Sequence, residues 1–189
     1  MDGALRYGPV SAAKPAFEDL YREYVDRIYG FLRSQLGSAA DAEDVTSQVF
    51  MKAFEAYSRF EPRHASPAAW LFQIARNAAL DHHRRAGRRQ KMERALAREP
   101  APSADPGVMA QERILYRELM GALAGLPERQ REVIGLRHSG LTFLEVGRLM
   151  SCSEDAAKML YHRALKMLRA AVPSEAVSPV EGEGKGGTA

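Results

Sequence analysis

From Phe17 to Leu168 the apolar residues recur at spacings of three and four, and nowhere do they alternate with polar residues over the length of a strand, which restricts the chain to an all-α fold. Phe17, Leu20, Tyr21, Tyr24, Ile28, Phe31 and Leu32 form one such stripe, which stops near Gly37. Ser38 followed by Asp41 has the form of a capping box, and Val45, Val49, Ala53 and Ala56 carry a second stripe to about Tyr57. Pro62 interrupts the segment from Ser58 to Ala65. Ser66 then suits an N-cap and Pro67 a first helical position, ahead of Trp70, Leu71, Ile74, Ala75 and Ala78.

The stretch from Arg98 to Gly107 has three prolines and no apolar period, so it reads as an extended linker. Ile114, Leu115, Leu119, Met120 and Leu123 restore helical spacing as far as Gly125, and Pro127 opens a helix carrying Val133, Ile134 and Leu136. Thr142 caps a short helix through Met150, Ser151 to Ser153 make a turn, and Glu154 starts a helix with Ala157, Tyr161, Ala164 and Leu168 on one face. That is helix-turn-helix spacing. The expected organisation is two small helical domains on a flexible linker: 16–94, a linker at 95–110, and 111–172 as a four-helix, winged-helix-like helix-turn-helix unit. Residues 173–189 are rich in Pro, Gly, Ser and Glu and read as a disordered tail. No internal repeat is present.

No apolar run in the 189 residues approaches the roughly 18 that a membrane helix needs. The amino terminus lacks the basic-then-apolar order of a secretory signal, so a cytoplasmic protein is expected. A lone cysteine, Cys152, excludes an internal disulfide framework and a Cys-based zinc site. The net charge of +3 is too small to argue nucleic-acid binding by itself, but its distribution is uneven. Asp41, Glu43, Asp44 and Glu55 mark an acidic early section, whereas Arg84, Arg85, Arg88, Arg89, Lys91 and Arg94 form a basic run. Two partners of opposite charge preference fit this segregation.

In a helix-turn-helix the second helix enters the major groove while phosphate contacts set the register. With Ala157, Tyr161, Ala164 and Leu168 facing inward, Lys158, Met159, His162, Arg163 and Lys166 lie outward or at the flanks as candidate DNA contacts. Glu154 or Asp155 can accept from a cytosine amino group, or simply complement the positive end of the helix dipole. Arg163 is otherwise a solvated surface charge. In the first domain Tyr57, Arg59, Phe60, Arg63, His64, Trp70, Phe72, Asn77, Asp81 and the arginines interleave aromatic and basic character, which suits a single strand with exposed bases. Core packing is the competing role for Phe60, Trp70 and Phe72.

Asp81, His82 and His83 do not make a metal site, because adjacent helical residues point about 100 degrees apart. No phosphate-cradling glycine loop or nucleophile motif is present either, so neither an enzyme nor a bound cofactor is expected.

Three segments, Asp41 to Phe50, Ala69 to Asn77 and Leu126 to Ile134, in that order along the chain, together resemble the extracytoplasmic-function (ECF) sigma factors of the sigma-70 superfamily. Asp41-Ala-Glu-Asp-Val-Thr-Ser-Gln-Val-Phe50 resembles the region-two signature of that family. Ala69-Trp-Leu-Phe-Gln-Ile-Ala-Arg-Asn77, followed by Asp81 and paired arginines, resembles its Trp-Leu-x-x-Ile-Ala-x-Asn stretch. Leu126-Pro-Glu-Arg-Gln-Arg-Glu-Val-Ile134 resembles the opening of region four.

The resemblance implies a factor that binds core RNA polymerase and directs promoter-specific initiation. It places Asp41, Asp44, Val45, Gln48 and Phe50 on or beneath a surface that docks on the beta-prime coiled coil. The loop from Ser58 to Pro67 and the following helix, with Arg59, Phe60, Arg63, Trp70 and Asn77, would capture a flipped minus-ten base. Arg84, Arg85 and Arg88 would hold the nearby backbone. The second domain would sit on the beta flap and read the minus-thirty-five element, and an anti-sigma factor would cover these surfaces. Two positions depart from the family pattern: Leu160 stands where a DNA-facing arginine is usual, and Gly147 where alanine is usual, at a helix-propensity cost of about 1 kcal/mol if exposed. A conventional helix-turn-helix regulator acting without polymerase is the competing function.

Overall fold

The computed structural model describes residues 14–62, 66–93 and 110–171, and the side chains within 88–93 and 110–114 are not among those described. The described residues form seven α-helices and no strand, so the all-helical expectation holds, and a wing is absent among them. The expected linker, tail and amino-terminal arm, together with Arg63 and His64 and the side chain of Arg88, lie outside the described residues.

Helix α1 (Phe17–Leu36) ends at Gly37, whose left-handed φ of 75° lets its amide donate back to the carbonyl of Arg33. Helix α2 (Ala39–Tyr57) is capped by Ser38, whose hydroxyl accepts from the amide of Asp41 at 3.3 Å. The expected box closes on one side only. The Asp41 carboxylate meets His82 Nε2 of α3 at 3.5 Å instead, tying α2 to α3. Helix α3 (Pro67–Glu93) starts where Ser66 Oγ accepts from the amide of Ala69 at 3.1 Å. These three helices bury Ile28, Phe31, Leu32, Val49, Leu71 and Phe72 almost completely. Phe31 and Phe72 meet edge to face at 5.7 Å, a geometry in which the positive ring edge meets the negative ring face.

Helices α4 (Ala110–Ala124), α5 (Glu128–His138), α6 (Phe143–Leu149) and α7 (Glu154–Ala171) form the second half. Thr142 and Glu145 make a complete capping box at the start of α6, and Ser151 takes a positive φ of 54° in the turn to α7. Gly147 is buried, and a Cβ there would lie 2.8 Å from the carbonyl oxygen of Cys152. The close approach of the turn requires glycine, so the expected propensity cost of an exposed glycine does not describe this position. Phe143 packs edge to face on Tyr161 at 5.5 Å and takes the Arg137 guanidinium over its ring at 4.3 Å, which fixes α6 against α5 and α7.

The two halves share one core. Val133, Leu136, Leu141, Val146, Leu149, Met150 and Ala157 belong to the same buried cluster as the α1–α3 residues, while Leu123, Leu126 and Ala164 form a small satellite under α4. The sequence suggested two separate cores. Periodicity identifies the apolar face of α5 without saying which partner covers it, and here α1 covers part of it. Gly135 makes the approach possible, since a Cβ there would lie 3.0 Å from Phe31 Cδ2 and from Ser34 Oγ.

Candidate polymerase and nucleic-acid interfaces

On α2, Asp44 and Gln48 face outward, while Val45 and Phe50 are only 4% and 6% exposed. The expected docking set is thereby divided. Val45 and Phe50 hold the helix onto the core and present no surface, because the apolar stripe that forms α2 also buries it. Asp41 is half-buried beside His82. Sequence reading missed Met51 and Phe54, which are 64% and 65% exposed on the outer face of the same helix. Phe17 packs against the Phe54 ring at 5.2 Å, and Tyr21 against the ring of Phe50 at 4.8 Å. The signal was available: an apolar residue between the positions of a helical stripe cannot reach the same core. The result is an acidic face with an aromatic centre, suited to a protein partner rather than to phosphate.

At the far end of α2, Tyr57, Phe60 and Trp70 gather in one aromatic cluster. Phe60 stacks on Trp70 with centroids 4.5 Å apart, and Tyr57 lies 6.2 Å from Phe60. Phe60 is 6% exposed, so its ring belongs to the support of the loop and is not open to a base in this conformation. Trp70 is half-buried and Phe72 fully buried, which matches the core role weighed for both. Arg59 is exposed between Tyr57 and Phe60, and Asn77 is exposed two turns beyond Trp70, where its Oδ1 accepts from Gln73 Nε2 at 3.0 Å. Farther along α3, Arg84 and Arg85 are exposed, with Arg84 3.4 Å from Asp81. Stacked rings therefore stand at one end of α3 and guanidinium groups at the other, the elements of a single-strand track.

On α7 the inward set is Ala157 and Ala164, fully buried, with Tyr161 and Leu168 half-buried, as the spacing indicated. Met159, His162, Arg163 and Lys166 lie on its outer side. Lys158 is less free than expected. Its ammonium lies 2.8 Å from Glu154 and 3.5 Å from Asp155, and the hydrogen bond to Glu154 raises its pKa above the ordinary lysine value. The acidic pair occupies the first turn of α7, where it complements the helix dipole and engages this lysine. Leu160 packs partly buried against the shared core, so the side chain in the unusual position is a packing residue.

Cys152 is a free, half-buried thiol in the turn. His82 serves as the α2–α3 contact described above. Among the described residues no helix is long and apolar enough to cross a membrane, and no group of three or more His, Cys, Asp or Glu side chains is placed to hold a metal.

The sequence model for Sigma-70 region 2 matches residues 20–89, and that for Sigma-70 region 4 matches residues 122–170. The RNA polymerase sigma factor CarQ of Myxococcus xanthus is 33% identical over 83% of this chain and 89% of its own length. The ECF RNA polymerase sigma factor BldN of Streptomyces coelicolor is 33% identical over 85% of this chain. SigE of Mycolicibacterium smegmatis, also an ECF RNA polymerase sigma factor, is 29% identical over 84% of it. In both of the latter the match spans 62% of the relative's length. The fold is that of the sigma factor RpoE, solved in complex with the anti-sigma factor NepR from Bartonella quintana, with a TM-score of 0.69 at 24% identity over 84% of this chain and 98% of that one. CnrH, solved with the cytosolic domain of CnrY, gives 0.61 at 24% identity over 82% and 85%. Helices α1–α3 thus carry region 2, helices α5–α7 carry region 4, and the chain belongs to the ECF sigma factors of the sigma-70 family.

Proposed function

We propose that the protein is an alternative sigma factor that binds core RNA polymerase in the cytoplasm and directs promoter-specific transcription initiation without catalysis of its own. The observation that carries this reading is the pairing, in one chain, of an acidic and aromatic α2 face with a helix-turn-helix whose second helix turns Met159, His162, Arg163 and Lys166 outward. Asp44 and Gln48, extended by Met51 and Phe54, form the polymerase face; Asp41, Val45 and Phe50 support it. Arg59, Trp70, Asn77, Arg84 and Arg85, with Arg63 and Arg88, line the minus-ten strand, and Phe60 buttresses the loop. Extruding a base costs a few kcal/mol, which stacking and phosphate contacts offset. The outward side chains of α7, with Lys158 at their edge, read the minus-thirty-five duplex.

An anti-sigma factor is the expected regulator. A groove of about 660 Å³ between α1, α4, α5 and α7, lined by Tyr29, Tyr116, Leu119, Leu165 and Leu168, offers it an apolar surface. The test is run-off transcription with purified core polymerase on promoters selected by the protein itself. A promoter-specific transcript that requires both components supports the reading. Tight, specific duplex binding with no transcript would favour the conventional regulator.

A further inference from the structure

Tyr57, at the end of α2, is gripped by the short segment that leads into α1. The Lys14 ammonium lies over the Tyr57 ring, 4.2 Å from its centroid, and donates to the carbonyls of Tyr57 and Ser58, the second at 3.3 Å. The Tyr57 hydroxyl donates to the carbonyl of Pro15, and Phe17 meets the same ring edge to face at 5.3 Å. The ring, hydroxyl and backbone of one tyrosine are thus all engaged by a strap whose lysine lies 43 positions upstream.

The end of α2 lacks such a partner of its own. Its last turn carries no basic residue, and the chain leaves it through a tightened turn in which the amides of Arg59 and Phe60 donate to the carbonyls of Ala56 and Tyr57 at 3.1 and 3.0 Å. Lys14 supplies the missing cation at the negative end of the helix dipole. It is exposed, so its charge adds little to global stability, and its contacts all converge on Tyr57 and the next carbonyl, as a local clamp requires. The held ring is in turn part of the aromatic cluster: Tyr57 lies over Phe60 with their planes 23° apart and stands 6.3 Å from Trp70. Packed rings pass displacement to one another, so the position of Tyr57 sets those of Phe60 and Trp70.

We propose that Lys14 is a positioning residue for minus-ten recognition: the strap from Lys14 to Phe17 clamps Tyr57 and, through it, fixes the angle at which Phe60 and Trp70 support the start of the loop at Ser58. Lys14 shapes the cluster and does not contact the strand. That the cluster serves a minus-ten base rests on the sigma-factor reading above; that the strap sets the cluster rests on the contacts alone.

Trp70 is the only tryptophan in the chain, so its fluorescence reads the cluster directly. In the full chain, Lys14→Met should red-shift the Trp70 emission and raise its quenching by acrylamide, while helical circular dichroism and the unfolding midpoint stay nearly unchanged. Lys14→Arg keeps the cation and its donors and should restore the parent signal. Tyr57→Phe loses the hydroxyl bond to Pro15 and should move the emission in the same direction by less. With core polymerase, Lys14→Met should slow promoter opening about fivefold to tenfold, the size expected of one cation–ring contact plus one helix-end charge, at unchanged polymerase affinity. Lys14→Arg should recover that rate. Unchanged emission and quenching for Lys14→Met would overturn the clamp. So would an unchanged rate of opening, or a smaller slope of log promoter affinity against log salt, which marks direct phosphate contact. If the parent chain gives no transcript with core polymerase, the sigma-factor reading fails, while Trp70 still reports the clamp.

Discussion

Arg76 and Glu132 are ion-paired between α3 and α5, and each is the other's charge partner at a junction where the glutamate is 8% exposed. Removing one partner strands the other in a poorly hydrated place. Glu132→Ala should therefore destabilise the chain by about 1–3 kcal/mol, and Arg76→Met with Glu132→Leu should recover most of the loss. Chemical denaturation of Arg76→Met, Glu132→Leu and the double variant, beside the parent, measures the coupling directly.

Two glycines on helices should respond oppositely to alanine. At Gly147 the new methyl would press on the Cys152 carbonyl at 2.8 Å, whereas at Gly30 nothing lies within 4 Å. Gly147→Ala should cost about 1–3 kcal/mol through overpacking, and Gly30→Ala should gain about 0.5–1 kcal/mol through helix propensity. Thermal unfolding separates the two, with midpoints moving in opposite directions.

Stability should fall as the pH drops below 6.5. Burial, then Arg131 and His82, push the His83 imidazole below its ordinary 6.5, against the opposing pull of Glu128 and the Gln35 carbonyl. The native form thus binds this proton less readily than the unfolded chain, so the stability is fully present above 6.5 and declines as pH falls below it. His83→Leu should flatten that decline. Glu145 adds a second loss at lower pH. Burial raises its pKa, but hydrogen bonds from Ser66 and Thr142 and the nearby Arg148 outweigh burial and hold it below 4.5, so its contribution disappears only as pH falls below that value. Unfolding midpoints measured across both values check the two steps.

On α2 the two classes of residue should separate cleanly. Asp44→Arg and Phe54→Ser should both weaken core polymerase binding; the exposed Asp44 should leave the unfolding midpoint nearly unchanged, and Phe54→Ser should lower it only by the edge-to-face contact with Phe17, about 0.5–1.5 kcal/mol. Val45→Asp should instead unfold the first half, since it places a carboxylate in a site 4% exposed. Equal polymerase affinity for Asp44→Arg and the parent would contradict the docking assignment.

On α7, Arg163→Ala with Lys166→Ala should weaken minus-thirty-five binding and reduce the slope of log affinity against log salt. The slope should change by about 0.9 for each phosphate that is no longer neutralised. Fluorescence anisotropy across a salt series, with polymerase present, reads this out.

Much of this arrangement was legible because helix signals are local. Gly37, Ser38, Ser66, Pro67, Thr142 and the stripe through Ala157, Tyr161 and Ala164 each act within a few residues of themselves, so spacing alone places them. The candidate sites were legible in part. Arg163 and Lys166 followed from the outer face of α7, whereas Asp44 and Gln48 came from the family resemblance and lie exposed on α2. For Phe60, Val45 and Phe50 surface and support stayed undivided, because a motif records which residues recur and not which way they point. The junction between the halves was invisible. Arg27 meets Ser139 across 112 positions and Gln35 meets Arg131 across 96, and no local pattern encodes such a pair. Gly135 held a clue as a glycine inside a helix, but its reason, the Phe31 ring, belongs to another element.

The carboxylate of Glu145 divides its two oxygens between two duties. Oε2 accepts from the Thr142 amide and hydroxyl at 2.9 Å each, within its own helix start, whereas Oε1 accepts from Ser66 of the other half at 2.6 Å. Separation of the halves breaks only the second bond and leaves the cap of α6 intact. The start of α6 is therefore capped from within its own segment, and loss of the Ser66 hydroxyl would cost the junction one bond without fraying the first helix of the helix-turn-helix.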